Sequence, residues 1–305
     1  MLDVLSSPLG ALRYLARSEG TLGVITQTEG TSYRLAGAMM AFGLDGARVG
    51  SLSSGCIEDD LWEHAKRAQA SGLPVSLCYG AGSPFFDLKL PCGGSMSVLL
   101  VPRPDRAILA AALAQTRARQ SARLAINTTN GALTIGEASE GFHIDLQPEL
   151  RFMVFGQGVE AQIFARLAGG SGFEVDLFGH DIPASGVGAR GNVRFHLVDN
   201  FRGFQPPQPD RWTAVTLFFH SHDHEAHILA QLLGSEAFYI GAQGSRRAKD
   251  RLLAELRAIG LAEPRLRQFR DKFGLVPSCR DPRTLAVSVL ADVLCVAAEG
   301  SEPGA

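Results

Sequence analysis

The rhythm of apolar and polar positions changes near residue 150. Before it, short apolar or alternating runs at 22–26, 37–42, 49–52, 75–79 and 97–101 predict strands. Helical spacing is confined to 9–18, 57–70 and the Ala-rich 105–120. Asp45-Gly46 and Thr129-Asn130-Gly131 supply hairpin turns, the second between runs at 124–128 and 132–135. Glu58, Asp59 and Asp60 open the 57–70 helix, where they complement its dipole. The Gly- and Pro-bearing stretch 139–149 divides the chain. Beyond it, strands at 151–155, 174–178, 193–197, 214–219 and 238–240 alternate with helices near 159–168, 225–233, 248–259 and 283–298. Such alternation implies a parallel sheet covered by helices on both faces. The expected class is α/β: an N-terminal α+β domain over 1–147, then a Rossmann-like domain with a parallel sheet over 148–305.

Composition narrows the function classes. At 305 residues, with hydrophobic residues at 46% and charged ones at 20%, two ordinary domains with real cores are expected. Lys and Arg (29) nearly balance Asp and Glu (31), which argues against nucleic-acid and membrane-surface binding, because both need a basic excess. The start MLDVLSSPLG has no basic region before an apolar core, and the most apolar helix is short and broken by Asp292. Five cysteines, an odd number at wide spacings, do not make a disulfide framework. A soluble cytoplasmic protein with reduced thiols is expected, with Cys78 and Cys295 in apolar patterns that read as core.

The most informative stretch is 151–168, where an apolar strand runs into Gly156-Gln157-Gly158 and then into Val159, Ile163, Phe164 and Leu167 at helical spacing. Gly156, Gly158 and Ala161 fit the G-x-G-x-x-G/A fingerprint, in which backbone N–H groups at a helix start receive a phosphate. A tight strand–helix turn with no ligand would read the same. A second strand–loop–helix follows at Gly244, Ser245, Arg246 and Arg247. Ser245 can cap the helix, while Arg246 and Arg247 stand in its first turn against the dipole preference, a pair suited to an anion or to plain solvent exposure.

Cys56 follows a glycine at a predicted helix start, and Cys92 lies in Pro91-Cys92-Gly93-Gly94. Accessible thiolates there suit a thiophilic metal or sulfur handling; burial as small hydrophobes is the alternative. His220, His222, Asp223, His224 and His227 crowd the end of a predicted strand. A zinc hydrolase is one reading of that cluster; a hydrogen-bonding His220, with the others solvated at a helix start, is the other.

Together these loops resemble the XdhC/CoxI family, accessory proteins of xanthine dehydrogenase and related molybdenum hydroxylases. The N-terminal match covers Thr28-Glu29-Gly30-Thr31, Arg34, Gly37-Ala38, the run Gly50 to Glu58 and Cys92-Gly93-Gly94. The C-terminal match covers Gly156-Gln157-Gly158, His220, Tyr239-Ile240-Gly241, Gly244-Ser245-Arg246-Arg247 and Ala286-Val287-Ser288. The resemblance implies a chaperone that binds molybdenum cofactor (molybdopterin), shelters it while a cysteine desulfurase exchanges an oxo for a sulfido ligand, and delivers it to an apo molybdenum hydroxylase. Cys56 and Cys92 would face the metal. Gly93, Gly94, His220 and Gly244 would belong to the cofactor site, and Gly156, Gly158, Ser245, Arg246 and Arg247 would hold phosphate. A homodimer is compatible with shielding such a cargo.

The chain departs from the family pattern at Ser54, where Gly is common, at Pro91, again for Gly, and at Ser221, where Asp is usual. Gly179 holds the place of the acid that ends the second Rossmann strand and bonds a ribose, with Asp181 two residues on. The rival reading, an NAD(P)-dependent oxidoreductase, rests on the glycine fingerprint alone and lacks a catalytic acid–base set. Turnover chemistry of the protein's own is not expected.

Overall fold

The computed structural model describes residues 7–53, 55, 57–80, 93–137, 141–180, 192–219 and 224–300. The chain forms two compact units, Met1–Pro148 and Glu149–Ala305.

The first unit is built on a five-stranded antiparallel sheet of order β3-β2-β1-β5-β4. Its strands are β1 (Gly20–Glu29), β2 (Met39–Gly43), β3 (Arg48–Gly50), β4 (Val75–Gly80) and β5 (Ser95–Pro102). Residues alternate faces along a strand, so a sheet covered on both sides needs apolar residues at every position. The first six residues of β1 are all buried accordingly. On one face Leu22, Val24, Leu99 and Val101 pack with α1 (Gly10–Leu15), α3 (Arg106–Arg117) and a second sheet of β6 (Ala122–Ile126), β7 (Leu133–Ile135) and β8 (Phe142–Leu146). On the other, Ile25, Val98 and Leu100 meet Leu61, Ala65 and Ala68 of α2 (Glu58–Ser71). Helix α2 stops at Gly72, whose φ of 73° is the left-handed C-terminal turn that glycine makes cheaply.

The second unit carries a parallel sheet of order β11-β10-β9-β12-β13. It comprises β9 (Arg151–Gly156), β10 (Glu174–Gly179), β11 (Val193–Leu197), β12 (Thr213–Phe218) and β13 (Tyr239–Ala242). Helices α4 (Val159–Gly170) and α8 (Pro282–Glu299) cover one face through Phe164, Ala165, Val289 and Val293. The other face is covered by α5 (Glu225–Leu232), α6 (Arg246–Ala258) and α7 (Glu263–Leu266) through Ile228, Leu252, Leu256 and Leu266. The first strand of this unit is central, with the next two on one side and the last two on the other. This is the Rossmann-like arrangement, and its switch point lies between β9 and β12.

Three expectations need correction. The segment 139–149 is not merely a connector, because β8 runs through it and pairs with β6, burying Ile144 and Leu146. Its alternation is hidden in the sequence by Gly141 and Pro148 on either side. Cys295 is exposed and Cys78 only half-buried, so neither is a core residue. Each lies on the outward-leaning side of an otherwise apolar element, a distinction that local hydrophobicity cannot draw.

Candidate functional site

In the first unit the strand registers gather several loops at one end of the sheet. Glu29 of β1 and Gly80 of β4 both pair with Ser95, the first residue of β5. Gly50, the last residue of β3, pairs with Met40 near the start of β2, and Met39 in turn pairs with Val24. Chain therefore leaves β1, β3 and β4 and enters β5 at the same end. Gly93-Gly94 sits where three strand ends converge. A Cβ on Gly94 would lie 2.6 Å from the Glu29 carbonyl oxygen and would run into that of Thr31, while one on Gly80 would strike the Gly94 carbonyl. Only glycine permits so close a backbone approach.

The 51–57 loop is organised by a residue that its sequence context marks only as a dipole complement. The Glu58 side chain, 7% exposed, turns back into the loop. One carboxylate oxygen accepts from Ser53 N (2.8 Å), Leu52 N (3.2 Å) and Ser51 Oγ (3.1 Å). The other accepts from Gly55 N (2.9 Å), Ile57 N (3.2 Å) and Ser53 Oγ. Burial pushes this carboxyl pKa up, but the bonds from Ser53, Ile57 and the neighbouring backbone outweigh it and hold it below the ordinary glutamate value. Its neighbours tie the helix to the sheet. Asp60 accepts from Tyr79 Oη of β4 at 2.6 Å, and Asp59 from Arg48 of β3 at 2.6 Å. Burial first, then the bond to Asp60, raises the Tyr79 pKa far above the usual phenol value. An acid next to a Ser- and Gly-rich loop was the available signal, since such a loop exposes N–H groups to it. Cys56 and Cys92 lie outside the described residues, as do Ser54 and Pro91.

In the second unit the glycine loops lie at the C-terminal edge of the parallel sheet, where ligands bind in such folds. Gly156 ends β9 opposite Phe218 of β12, and a Cβ there would run into the Phe218 carbonyl oxygen and lie 2.8 Å from its carbon. Gly158, at φ 89° and ψ −170°, caps α4. At the end of β13, Gln243 N still bonds Leu217 O (2.9 Å), and Ser245 then caps α6 by accepting from Ala248 N at 3.2 Å. Arg246 and Arg247 open α6 with exposed side chains, and no acid lies in that first turn. Gly244 is exposed beside them. The described residues that the sequence predicts for a site in this unit thus share one sheet edge, while Gly93 and Gly94 belong to the other unit.

Gly179 closes β10, and a Cβ there would sit 2.9 Å from the Gly156 carbonyl oxygen. The place of the usual ribose acid therefore has no room for a side chain; Asp181 is outside the described residues. The next residue, His180, stacks edge-on against Phe201 (4.7 Å) and His224 (5.4 Å). His224 is thus half-buried and packed among rings, whereas His227 is exposed. His220, Ser221, His222 and Asp223 lie outside the described residues. Among the described residues, no group of three or more His, Cys, Asp or Glu is arranged to hold a metal. Beside this edge, Phe155, Phe178 and His196 occupy matched positions on β9, β10 and β11 and stack at 4.8 and 4.6 Å. Asp176 anchors the end of that stack by accepting from Arg194 Nε at 2.9 Å and bonding His196 Nε2 at 2.8 Å.

Two family models match the chain, one described as the XdhC Rossmann domain over 152–293 and one as the XdhC and CoxI family over 15–80. The molybdenum cofactor insertion chaperone PaoD of Escherichia coli K12 is 30% identical over 294 residues, spanning 94% of this chain and 86% of that protein. The chain belongs to the XdhC/CoxI family. A Bacillus subtilis protein named as a probable subunit of xanthine dehydrogenase is 24% identical, over 91% of this chain and 93% of its own. The same fold recurs in the crystal structure of a Bacillus halodurans protein titled xanthine dehydrogenase, with a TM-score of 0.79 and 24% identity over 97% of this chain and 98% of that one. The Glu58-held loop falls within the XdhC and CoxI match, and the edge carrying Gly156, Gly158 and Arg246 falls within the XdhC Rossmann match. Among the described residues, no helix of this XdhC/CoxI protein is long and apolar enough to cross a membrane.

Proposed function

We propose that this protein is an insertion chaperone for molybdenum cofactor, with an apo xanthine dehydrogenase-type hydroxylase as its client. The observation that carries the reading is the relationship, over 94% of this chain and 86% of the other, to a chaperone of that name. The cargo's chemistry agrees with it. A pterin phosphate calls for helix N-termini and arginine, and the second unit offers the α4 and α6 N-termini at one edge with Arg246 and Arg247 beside them. A molybdenum–sulfur centre calls for soft ligands, the role assigned to Cys56 and Cys92, with Gly93 and Gly94 shaping the approach. His220 adds a donor after β12. Sulfuration by a cysteine desulfurase takes place while the cargo is held, and a homodimer would shield it.

The test is the molybdenum and oxidised-pterin content of the protein purified from a cofactor-sufficient host, beside a Cys56→Ala/Cys92→Ala variant. Near-stoichiometric pterin and molybdenum, lost in the variant, is the expected result. A folded protein that carries neither and takes up neither on reconstitution would refute the reading.

A further inference from the structure

The grip on Glu58 exceeds what a helix start requires. A capping side chain ordinarily satisfies one or two first-turn N–H groups. Here six donors converge on one carboxylate, and four of them are backbone N–H groups of the loop itself, at Leu52, Ser53, Gly55 and Ile57. Among the described residues no Lys, Arg or His forms an ion pair with it, and what they supply to the buried charge is these six hydrogen bonds. A buried charge is costly and persists where such bonds compensate it. Ser53, fully buried, completes the closure by donating to Glu58 and accepting from Ile57 N at 3.1 Å. The helix end that bears Glu58 is itself fastened to β3 and β4 through Asp59 and Asp60. The Glu58 carboxylate therefore joins the loop, whose Leu52 and Ile57 also pack into the core, to a helix end fastened to the sheet. Gly55 and Ile57, the sequence neighbours of Cys56, are both bonded to that carboxylate.

We propose that Glu58 is the positioning residue of the Cys56 loop, fixing the chain on both sides of that cysteine so that its thiol meets a soft-metal cargo from a preset loop. This deepens the chaperone reading and rests on it. Glu58 itself touches no cargo; it acts through Cys56. Length and charge matter together. Glutamine keeps the reach but turns an NH2 toward donors, and aspartate keeps the charge but falls one methylene short.

The experiment uses the full chain and reads three quantities on Glu58→Gln, Glu58→Asp and Cys56→Ala: amide hydrogen exchange by mass spectrometry, iodoacetamide alkylation mapped to each cysteine, and co-purified pterin. The expected result for both Glu58 variants is exchange faster by at least tenfold confined to 51–57. Cys56 alkylation changes several-fold while Cys78, Cys279 and Cys295 keep their rates, and bound pterin falls as it does in Cys56→Ala. Exchange or alkylation unchanged at 51–57, or faster exchange spread through β1, β5 and α2, would overturn the positioning role and leave only a structural one. Pterin lost in Cys56→Ala but kept in the Glu58 variants would also overturn it. Pterin retained in Cys56→Ala would instead refute the thiol part of the chaperone reading, with the exchange and alkylation results still deciding whether Glu58 holds the loop. If Glu58→Gln fails to fold, Ser53→Ala, which removes the hydroxyl linking Glu58 to Ile57, is read by the same three measures.

Discussion

Gly156 is where a ligand role and a packing role make opposite demands, and alanine separates them. If the glycine serves only to let a phosphate approach, Gly156→Ala weakens binding and leaves the fold alone. The structure argues otherwise. A Cβ at 156 would run into the carbonyl oxygen of Phe218 and sit 2.8 Å from its carbon, and the obstacle is the backbone of the adjacent parallel strand. No rotamer change relieves such a contact, so strand β9 must shift against β12. Overpacking costs about 1–3 kcal/mol where neighbours can adjust, and a backbone neighbour puts this substitution near 3 kcal/mol. Gly170, at the end of α4 with open space around its Cβ position, is the matched control. There the same substitution gains about 0.5 kcal/mol from helix propensity. The two variants should differ by about 3–4 kcal/mol, with Gly156→Ala melting roughly 6–12 °C below the parent. The assay is urea unfolding followed by fluorescence in a Trp62→Phe background, in which Trp212 reports the second unit alone. Equal stability of Gly156→Ala and Gly170→Ala would refute the packing argument and return Gly156 to a purely ligand-driven role.

Three further outcomes follow from the second unit. Thr216, fully buried in β12, has a hydroxyl with no hydrogen-bond partner among the described residues, so Thr216→Val should raise stability by about 1 kcal/mol in urea unfolding. Burial raises the Asp176 pKa, but its bonds to Arg194 and His196 outweigh that and leave it below the usual aspartate value. Its stabilisation is therefore complete above the unfolded-state pKa near 4 and drains away as pH falls through the lower folded value, so the acid limb of a stability–pH curve should flatten in Asp176→Asn. Arg246→Ala/Arg247→Ala should weaken pterin-phosphate binding roughly tenfold or more and reduce its salt sensitivity, while the melting temperature stays within about 2 °C. Unchanged affinity in a titration calorimeter would remove the pair from the site.

Much of the fold was legible because both periodicities are strong. The central strands β9 and β12 of the parallel sheet are almost wholly apolar runs, and the helices that follow carry apolar stripes. The Ser245 cap was legible too, because a serine before a helical pattern has few other roles. What escaped was tertiary. The pattern Phe142 to Leu146 alternates over only five residues between Gly141 and Pro148, and its partner, β6, lies elsewhere in the chain. Cys295 lies in an apolar helix, yet its face is set by what α8 packs against. Glu58, Asp59 and Asp60 look like one acidic first turn, but they bond three different partners: a loop, β3 and β4. Position along a helix does not say which way three neighbouring side chains fan out.

That fan also bears on where an anion would bind. Helix α2 opens with Glu58, Asp59 and Asp60, and the Glu58 carboxylate already takes up N–H groups that an anion would use. A phosphate is repelled there by charge and finds fewer free donors. Helix α6 is the reverse, with a neutral serine cap, no acid in its first turn and two arginines in place of the usual carboxylates. Both helices follow a glycine loop at the end of a sheet, so glycine content alone would rank them equally as phosphate sites. Charge ranks them oppositely. By charge alone, an anion such as a pterin phosphate would favour the α6 start of the second unit over the α2 start of the first.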